Sequence, residues 1–286
     1  MVKRILSPED DPLRSILTPH LSASLEYWFF KVNHQGVALL VDWIARRRLS
    51  TGHLRISIHS PMGRQVLHTP HPTILRHGAA ELAMQETSWL RGDVRWHLAL
   101  APSSDRIRPQ LFPAEQLKLF DMSLESAPRV AFTGWIEHRG KRFSVDHAPG
   151  MLSHYWGRAL PQEWWWISAT QFDDPRMAVE CMALRSRVWG TSASLSLGYL
   201  YVRDSSGSRL LISPPARLTV SGTPQAFEIA ASARRGPRYA LKATGHDYAS
   251  FGEGIVNTLV GDLGISKGGK LLSVARGTAG LERRSS

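Results

Sequence analysis

Residues 145–172, VDHAPGMLSHYWGRALPQEWWWISATQF, hold the most concentrated set of aromatic and ionisable side chains in the chain. Within this stretch the run EWWWI at 163–167 has the composition of a β-strand. Because successive side chains of a strand point to opposite faces, Trp164 and Trp166 share one face and Trp165 lies on the other. A buried indole has a large apolar body, so this strand is predicted to be covered on both sides. A solid Trp-rich core and a ligand cavity walled by indoles both fit the pattern.

The composition of the 286 residues, with 43% hydrophobic and 21% charged side chains, is that of a globular protein. The formal net charge of +11 raises the question of a nucleic-acid partner. Apart from short runs such as those at 46–48 and 234–235, however, most of the basic residues are dispersed singly. No groove-reading motif or zinc-ligand spacing accompanies them, so specific nucleic-acid binding is not expected.

The cysteine content and the start of the chain bear on its location. Cys181 is the single cysteine, which excludes an intramolecular disulfide and favours a reducing compartment. It lies in the apolar run 178–184, where a buried thiol is expected. Charges and prolines interrupt the first residues, so the apolar segment of a secretion signal is not expected there. No run approaches the ~20 apolar residues of a membrane span. A cytoplasmic protein is predicted.

Short alternating runs separated by Gly, Pro, Ser and Asp turns recur along the chain. The first two, at 26–32 and 37–44, predict a hairpin around a turn at 33–36. One short helix is predicted at 113–120, and residues 251–269 are compatible with either a short helix or a loop. The pattern predicts an all-β chain built as barrels or sandwiches, and the length suggests two of them.

The strand pattern restarts at Arg129, which suggests a division of the chain. We predict an irregular lead-in at 1–23, an N-terminal domain at 24–128 and a C-terminal domain at 129–286.

Three pieces together resemble the tocopherol cyclase-like family and its wider relatives, which include carotenoid hydratases and Diels–Alderase-type cyclases. They are EYWFFKV at 26–32, YWGRALP at 155–161 followed by Trp164-Trp165-Trp166, and AGLE at 279–282. The resemblance covers nearly the whole chain and implies two lipocalin-like antiparallel β-barrel domains with little helix. It also implies a cofactor-independent enzyme that folds a hydrophobic polyene, polyketide or prenylated molecule of secondary metabolism in a cavity.

The resemblance further implies an acidic residue three positions before the Trp of the Trp-Gly pair. This chain has Ser153 there, with His154 beside it. Protonation by a carboxylic acid at this position is therefore not expected.

The candidate site residues follow from the chemistry of an acid-promoted or concerted cyclisation. His154 is a candidate proton donor because its ordinary pKa lies near working pH. Tyr155 is a candidate hydrogen-bond donor. Asp146 is a candidate acid, because burial would raise the pKa of its carboxyl group and keep that group protonated; the same holds for Asp42 and Glu26. Indole walls and polar neighbours would hold the substrate. The predicted substrate-binding residues are Glu26, Trp28, Trp156, Arg158, Trp164, Trp166 and Gln171.

Other activities find less support in the residues. The histidines never form the close pairs with carboxylates that a zinc site uses, so no metal or other cofactor is predicted. A non-catalytic carrier of a hydrophobic small molecule remains an alternative, because fold alone does not separate the two. A hydratase that adds water to an isoprenoid double bond is a second alternative.

Overall fold

The structure is a computed structural model, and every described residue is strand, turn or irregular. The described residues are 23–46, 51–70, 86–89, 92–101, 105–109, 122–187, 194–252 and 254–285. Within them no helix is long and apolar enough to cross a membrane. Residues 1–22 of the lead-in predicted at 1–23 lie outside the described residues, as does the predicted helix at 113–120. Residues 255–267 form a strand.

Eight antiparallel strands make up the first sheet, in the order β4-β3-β2-β1-β8-β7-β6-β5. They are β1 (Leu25–His34), β2 (Val37–Arg46), β3 (Thr51–Ser60), β4 (Gly63–Pro70), β5 (Glu86–Trp89), β6 (Val94–Ala101), β7 (Met122–His138) and β8 (Lys141–Gly157). The predicted first hairpin is confirmed by the pairing of β1 with β2 around the turn at Gln35 and Gly36.

Ten strands make up the second sheet, in the order β12-β11-β10-β9-β18-β17-β15-β14-β13, with β16 paired to β17. They are β9 (Glu163–Ala169), β10 (Ala178–Arg187), β11 (Ser194–Asp204), β12 (Gly207–Ser213), β13 (Arg217–Gly222), β14 (Ala226–Ser232), β15 (Arg238–Thr244), β16 (Ala249–Gly252), β17 (Ile255–Lys267) and β18 (Lys270–Arg284). Both sheets share one plan, since the first strand of each sheet pairs with its last.

The chain passes from the first sheet to the second between Gly157 and Glu163. The domain boundary predicted at 128 and 129 falls inside β7 instead. The sequence pattern restarts there because the register of β7 against β8 shifts between Ala127 and Val130. Such a bulge reverses which side chains face inward, as a new element would.

Alternation along the strands sorts the apolar side chains into three layers. Trp28 and Phe30 of β1 belong to a core inside the first sheet, which we call the first core. Trp165 and Ile167 of β9 belong to a core inside the second sheet, the second core. Phe29 of β1 packs with side chains of both sheets in a third cluster, the interface layer, which lies between them.

The split of the tryptophan run is therefore confirmed. Trp164 and Trp166 join the interface layer, whereas Trp165 joins the second core. Cys181 is fully buried in the second core, as predicted. β1 and β9 each separate two packed layers. Both faces of these two strands are therefore apolar.

Candidate functional site

Two adjacent cavities lie in the interface layer. The larger has a volume of about 190 Å³, and the smaller, of about 20 Å³, lies beside it. Tyr27, Arg55 and Trp164 line both. An apolar cavity of about 150 Å³ holds benzene in another protein, and one of about 10–15 Å³ holds a water molecule. The larger cavity is therefore wide enough for a substituted ring and the smaller for one water.

Four ionisable side chains at these cavities come from both sheets and interact electrostatically, and we call them the cavity cluster: Tyr27, Asp42, Arg55 and Glu282. Tyr27, Asp42 and Arg55 lie on adjacent strands β1, β2 and β3, and the register places Asp42 directly opposite Arg55. Glu282 lies on β18 opposite Trp166 of β9. Along each strand these residues alternate with residues of that sheet's own core. Their side chains therefore point toward the other sheet.

Asp42 and Arg55 form a buried ion pair. Nε of Arg55 donates to Oδ2 of Asp42 at 2.5 Å, and both side chains are at most 10% exposed. Burial lowers the pKa of Arg55, but the charges of Asp42 and Glu282 outweigh it, so the guanidinium stays protonated. Burial also raises the pKa of Asp42, and the guanidinium opposes that effect. Direct contact with a permanent cation keeps Asp42 the ionised acid of the cluster.

Glu282 is the second acid and, among the described residues, has no ion-pair partner. Its Oε1 accepts a hydrogen bond from Nε1 of Trp164 at 2.9 Å, and its Oε2 accepts one from Nδ2 of Asn257 at 3.4 Å. Burial raises the pKa of Glu282, and this effect exceeds the lowering of the pKa by the positive charge of Arg55. Burial thus favours the protonated form of Glu282, whereas the Arg55 guanidinium favours the ionised form of Asp42. Two acids in environments that differ in this way are the usual arrangement for acid–base chemistry.

Aromatic rings wall the cavities. The rings of Tyr27 and Tyr155 stack with centroids 4.6 Å apart, and Trp166 meets Phe29 edge to face at 5.7 Å. Cζ of Arg55 lies 4.5 Å from the centroid of Phe251. Burial raises the pKa of the Tyr27 hydroxyl far above its ordinary value, and Glu282 and Asp42 add to the effect. Tyr27 is therefore a neutral hydrogen-bond donor at the junction of the two cavities.

A second polar group bridges the sheets without bordering the described cavities. We call it the hydroxyl cluster: Ser126, Ser153, Glu180 and Tyr199. Oε2 of Glu180 accepts from Oγ of Ser126 at 2.6 Å, and Oε1 accepts from the Tyr199 hydroxyl at 2.7 Å. Ser153 donates to Ser126 at 2.7 Å. The acid missing at position 153 is thus supplied from β10, and burial raises the pKa of Glu180 to about 7.

The AGLE segment packs on the EYWFFKV segment across the interface layer. Nζ of Lys31 donates to the carbonyl of Thr278 at 2.8 Å. A Cβ added to Gly280 would lie 2.7 Å from Cδ and Cε of Lys31, so glycine is what lets the lysine chain cross β18. Burial lowers the pKa of Lys31 to about 7. The segments that carried the resemblance are therefore neighbours in space.

Four predicted site residues lie together inside the first sheet, on the opposite face of β1 and β8 from the cavities. We call them the stacked group: Glu26, Trp28, His154 and Trp156. The imidazole of His154 stacks on Trp28 at 4.5 Å between ring centroids and tilts against Trp156 at 4.8 Å. Its Nε2 lies 2.9 Å from Oε1 of Glu26, and both side chains are fully buried. The catalytic role of His154 stays a prediction.

The other predicted residues are scattered. Tyr155, Trp164 and Trp166 line the cavities. Asp146 lacks the burial that would keep its carboxyl protonated, because its side chain is 79% exposed, and it lies eight residues before His154 on the same strand. Nε2 of Gln171 donates to the carbonyl of Asn33 and so joins the two sheets. Arg158 is exposed just after β8. The structure does not bring these last three to the cavities.

Sequence reasoning missed most of the cavity cluster. Only Asp42 was considered, as one of three acids on strands. Glu180 carries a sequence signal for burial, because it is the single acid in β10 and the residues at 178–184 are otherwise apolar. No group of three His, Cys, Asp or Glu side chains that would hold a metal ion occurs in the described ranges.

Fold and site together define a protein of two lipocalin-like sheet units with an aromatic, acid-containing cavity between them. A family model described as tocopherol cyclase-like matches residues 122–214, which span β7 to β12. The tocopherol cyclase of Zea mays, a chloroplast protein, is 42% identical over 40 residues. That match covers 14% of this chain and 8% of the maize protein. The resemblance inferred from the sequence is confirmed.

Solved structures share the whole fold. CghA with Sch210972 superposes with a TM-score of 0.62 at 12% identity and covers 92% of this chain and 88% of its own. Kievitone hydratase from Nectria haematococca gives a TM-score of 0.58 at 9% identity and covers 94% and 90%. The predicted all-β, two-unit lipocalin-like fold is confirmed.

Proposed function

We propose that the protein is a cyclase that converts a hydrophobic small molecule to a ring-containing isomer in the interface cavities. The observation that carries the proposal is the position of Glu282, a half-buried acid of raised pKa. Glu282 lines the smaller cavity, next to an aromatic-walled cavity of about 190 Å³. The similarity to tocopherol cyclase and CghA supports the same class of reaction. Secondary metabolism is the setting we propose for it.

The chemistry needs one proton and returns it. The substrate lies in the larger cavity with a double bond toward Glu282, whose carboxyl transfers its proton to one alkene carbon. The other alkene carbon becomes cationic and is stabilised by the rings of Trp164 and Tyr27. A hydroxyl oxygen of the same molecule then bonds to that carbon, and its proton passes to the Glu282 carboxylate. The product is an isomer of the substrate, so the reaction as proposed consumes no cofactor.

Asp42, Arg55 and Tyr27 hold the site for this step. The ion pair of Asp42 and Arg55 is buried and fixed by register, so its dipole does not reorganise as charge develops. Tyr27 stays protonated and can donate a hydrogen bond to a substrate oxygen. The apolar surroundings exclude water that would otherwise trap the cation.

A hydratase is the second candidate function, and the smaller cavity favours it. Its volume of about 20 Å³ fits one water molecule beside Asp42, Arg55 and Glu282. If that water captured the cation instead of an internal hydroxyl, the product would gain the elements of water. The similarity in fold to kievitone hydratase is consistent with this outcome.

Incubation with linear polyenes and prenylated phenols in D₂O tests the proposal and separates the alternatives. Proton-initiated cyclisation gives a product that carries one deuterium on carbon, which mass spectrometry detects. A pericyclic cyclisation gives a ring without carbon-bound deuterium, which would contradict the role of Glu282. Hydration gives a product heavier by one water. Binding of every candidate without conversion would leave only the carrier.

A further inference from the structure

Asn257 lies on the strand next to the proposed acid. The register of β17 against β18 places it directly opposite Glu282, and it is only 1% exposed. Residues opposite each other in an antiparallel pair carry their side chains on the same face, so both side chains point into the interface layer. Asn257 is not among the described residues that line either cavity. It can therefore act on a substrate only through Glu282.

Two neutral donors hold the Glu282 carboxyl group, one at each oxygen. Nε1 of Trp164 lies 2.9 Å from Oε1, and Nδ2 of Asn257 lies 3.4 Å from Oε2. Both hydrogen bonds favour the ionised carboxylate and lower its pKa against the effect of burial. The proposed reaction passes through that ionised form, because Glu282 gives its proton to the substrate and later takes one back. Each donor thus lowers the free energy of the state that follows proton transfer.

The same asparagine is costly for folding. Ile255 and Leu259, two positions away on either side, are apolar members of the interface layer. Oδ1 of Asn257 is buried and has no hydrogen-bond partner among the described residues. A buried acceptor without a donor lowers stability, and an apolar side chain of similar size would avoid that penalty. A polar residue at such a position indicates a role in function.

From these contacts we infer that Asn257 is a positioning residue of the proposed site, which donates to the Glu282 carboxylate after proton transfer and thereby makes Glu282 a stronger acid. The inference rests on the proposed function and adds to it a residue that does not touch the substrate. Two charged groups face the same carboxyl group from the first sheet: Arg55 lowers the pKa of Glu282 and Asp42 raises it. The neighbouring Tyr27 is neutral. All three stay in place when Asn257 is replaced.

The chain has two asparagines, Asn33 and Asn257, which makes the contact directly observable. Protein labelled with ¹⁵N in the asparagine side chains gives two amide NH₂ groups in NMR spectra. We expect the NH₂ signal of Asn257 to shift with pH as Glu282 ionises, because it then donates to a charged acceptor. This shift should be absent from Glu282→Gln, and the Asn33 signal should not show it. A signal of Asn257 that is independent of pH, or that titrates equally in Glu282→Gln, would overturn the inference.

Removal of the donor gives the second test, and Asn33 supplies the matched control. Asn33 is also a buried asparagine, but its Nδ2 donates to the carbonyl of Leu259 at 2.9 Å. In Asn257→Leu the carboxyl carbon signal of Glu282, identified as the one missing from Glu282→Gln, should titrate at a higher pH than in the parent. In Asn33→Leu it should titrate as in the parent.

Stability should separate the same two variants in the opposite sense. Asn33→Leu leaves the Leu259 carbonyl without its donor, so we expect its urea midpoint to fall. Asn257→Leu removes an acceptor that has no partner among the described residues, and its midpoint should not fall. A lower midpoint for Asn257→Leu together with an unchanged titration of Glu282 would make Asn257 a structural residue and refute the inference.

Turnover of a polyene or prenylated phenol that the parent converts gives a third readout. Asn257→Leu leaves a weaker acid, so we expect kcat to fall about tenfold, the size of one hydrogen bond to a charged group, with KM unchanged. The loss of activity at high pH, where Glu282 ionises, should move to higher pH. If Glu282→Gln turns over normally, the proposed function fails, whereas the NMR titrations still decide the role of Asn257. If turnover depends on Glu282 but Asn257→Leu changes neither its titration nor kcat, only the inference fails.

Discussion

The cavity cluster and the hydroxyl cluster are two buried acidic groups in the same interface layer, and they differ in what surrounds them. Glu282 of the cavity cluster borders empty space, a cation and aromatic rings. Glu180 of the hydroxyl cluster is surrounded by hydroxyl groups that satisfy both of its oxygens. Burial raises the pKa of both acids.

A raised pKa therefore does not by itself mark the reactive acid of this protein. An acid must also meet a substrate, and only one of these clusters has room for it. The hydroxyl cluster instead joins the sheets, because Ser126 and Ser153 belong to the first and Glu180 and Tyr199 to the second. The four predictions below test this difference.

Breaking the ion pair of the cavity cluster should have the largest effect. Arg55→Met leaves the Asp42 carboxylate buried without its cation, and we expect the free energy of unfolding to fall by about 3–5 kcal/mol in urea titrations. Adding Asp42→Asn to the same chain should recover much of that loss. In the hydroxyl cluster Ser153→Ala removes one neutral hydrogen bond and should lower stability by only about 1 kcal/mol. Equal losses at the two clusters would refute the contrast.

The hydroxyl cluster should make stability depend on pH. The folded pKa of Glu180 is about 7 against an ordinary value of 4.5, so the folded state binds more protons in that interval. Its contribution is complete below pH 4.5 and is lost as the pH rises toward 7, on the order of 3 kcal/mol in all. Glu180→Gln should remove this loss, as measured by the difference between variant and parent unfolding curves across that range. An unchanged pH dependence would show that Glu180 is not a buried acid.

The same two acids should differ in turnover. Glu282→Gln removes the proposed proton donor but keeps the shape of the side chain, and we expect product formation to fall about a hundredfold or more while the substrate still binds. Glu180→Gln is the matched control and should retain activity within a few-fold. If Glu180→Gln is the more damaging change, the assignment of the reactive acid is reversed.

The stacked group should give the smallest change in turnover. His154→Gln alters a side chain that faces the first core, on the other side of β1 and β8 from the cavities, so we expect activity within about a few-fold of the parent. Its stability should fall, since His154 packs between two indoles and against Glu26. Complete loss of activity in a folded His154→Gln protein would instead support the sequence prediction and place the reaction inside the first sheet.

Local patterns were sufficient for the fold but not for the site. The opposite faces of Trp164 and Trp165 follow from the strand period alone, and the structure agrees. Cys181 was expected to be buried because its neighbours are apolar. The misplaced boundary at residue 128 shows the limit of this reasoning, since a bulge within β7 changes the alternation just as a new domain would.

The cavity cluster was beyond sequence reasoning because its members meet only through pairing between distant strands. Asp42 and Arg55 are opposite because of the register of β2 against β3, and Glu282 reaches Trp164 across a separation of 118 residues. Asp146 failed for a related reason. The pattern shows that it lies on a strand, but it does not show that this end of β8 is covered on one face only: Val145 is buried in the first core, and the face that carries Asp146 is exposed.

The single passage of the chain from one sheet to the other, between Gly157 and Glu163, has a consequence for how the proposed site is assembled. Tyr27, Asp42 and Arg55 lie before that crossing and Glu282 lies after it. Each fragment of a chain cut there would keep a complete sheet but only part of the reactive machinery. The proposed catalysis is then expected only of the reassembled pair, with neither half active alone.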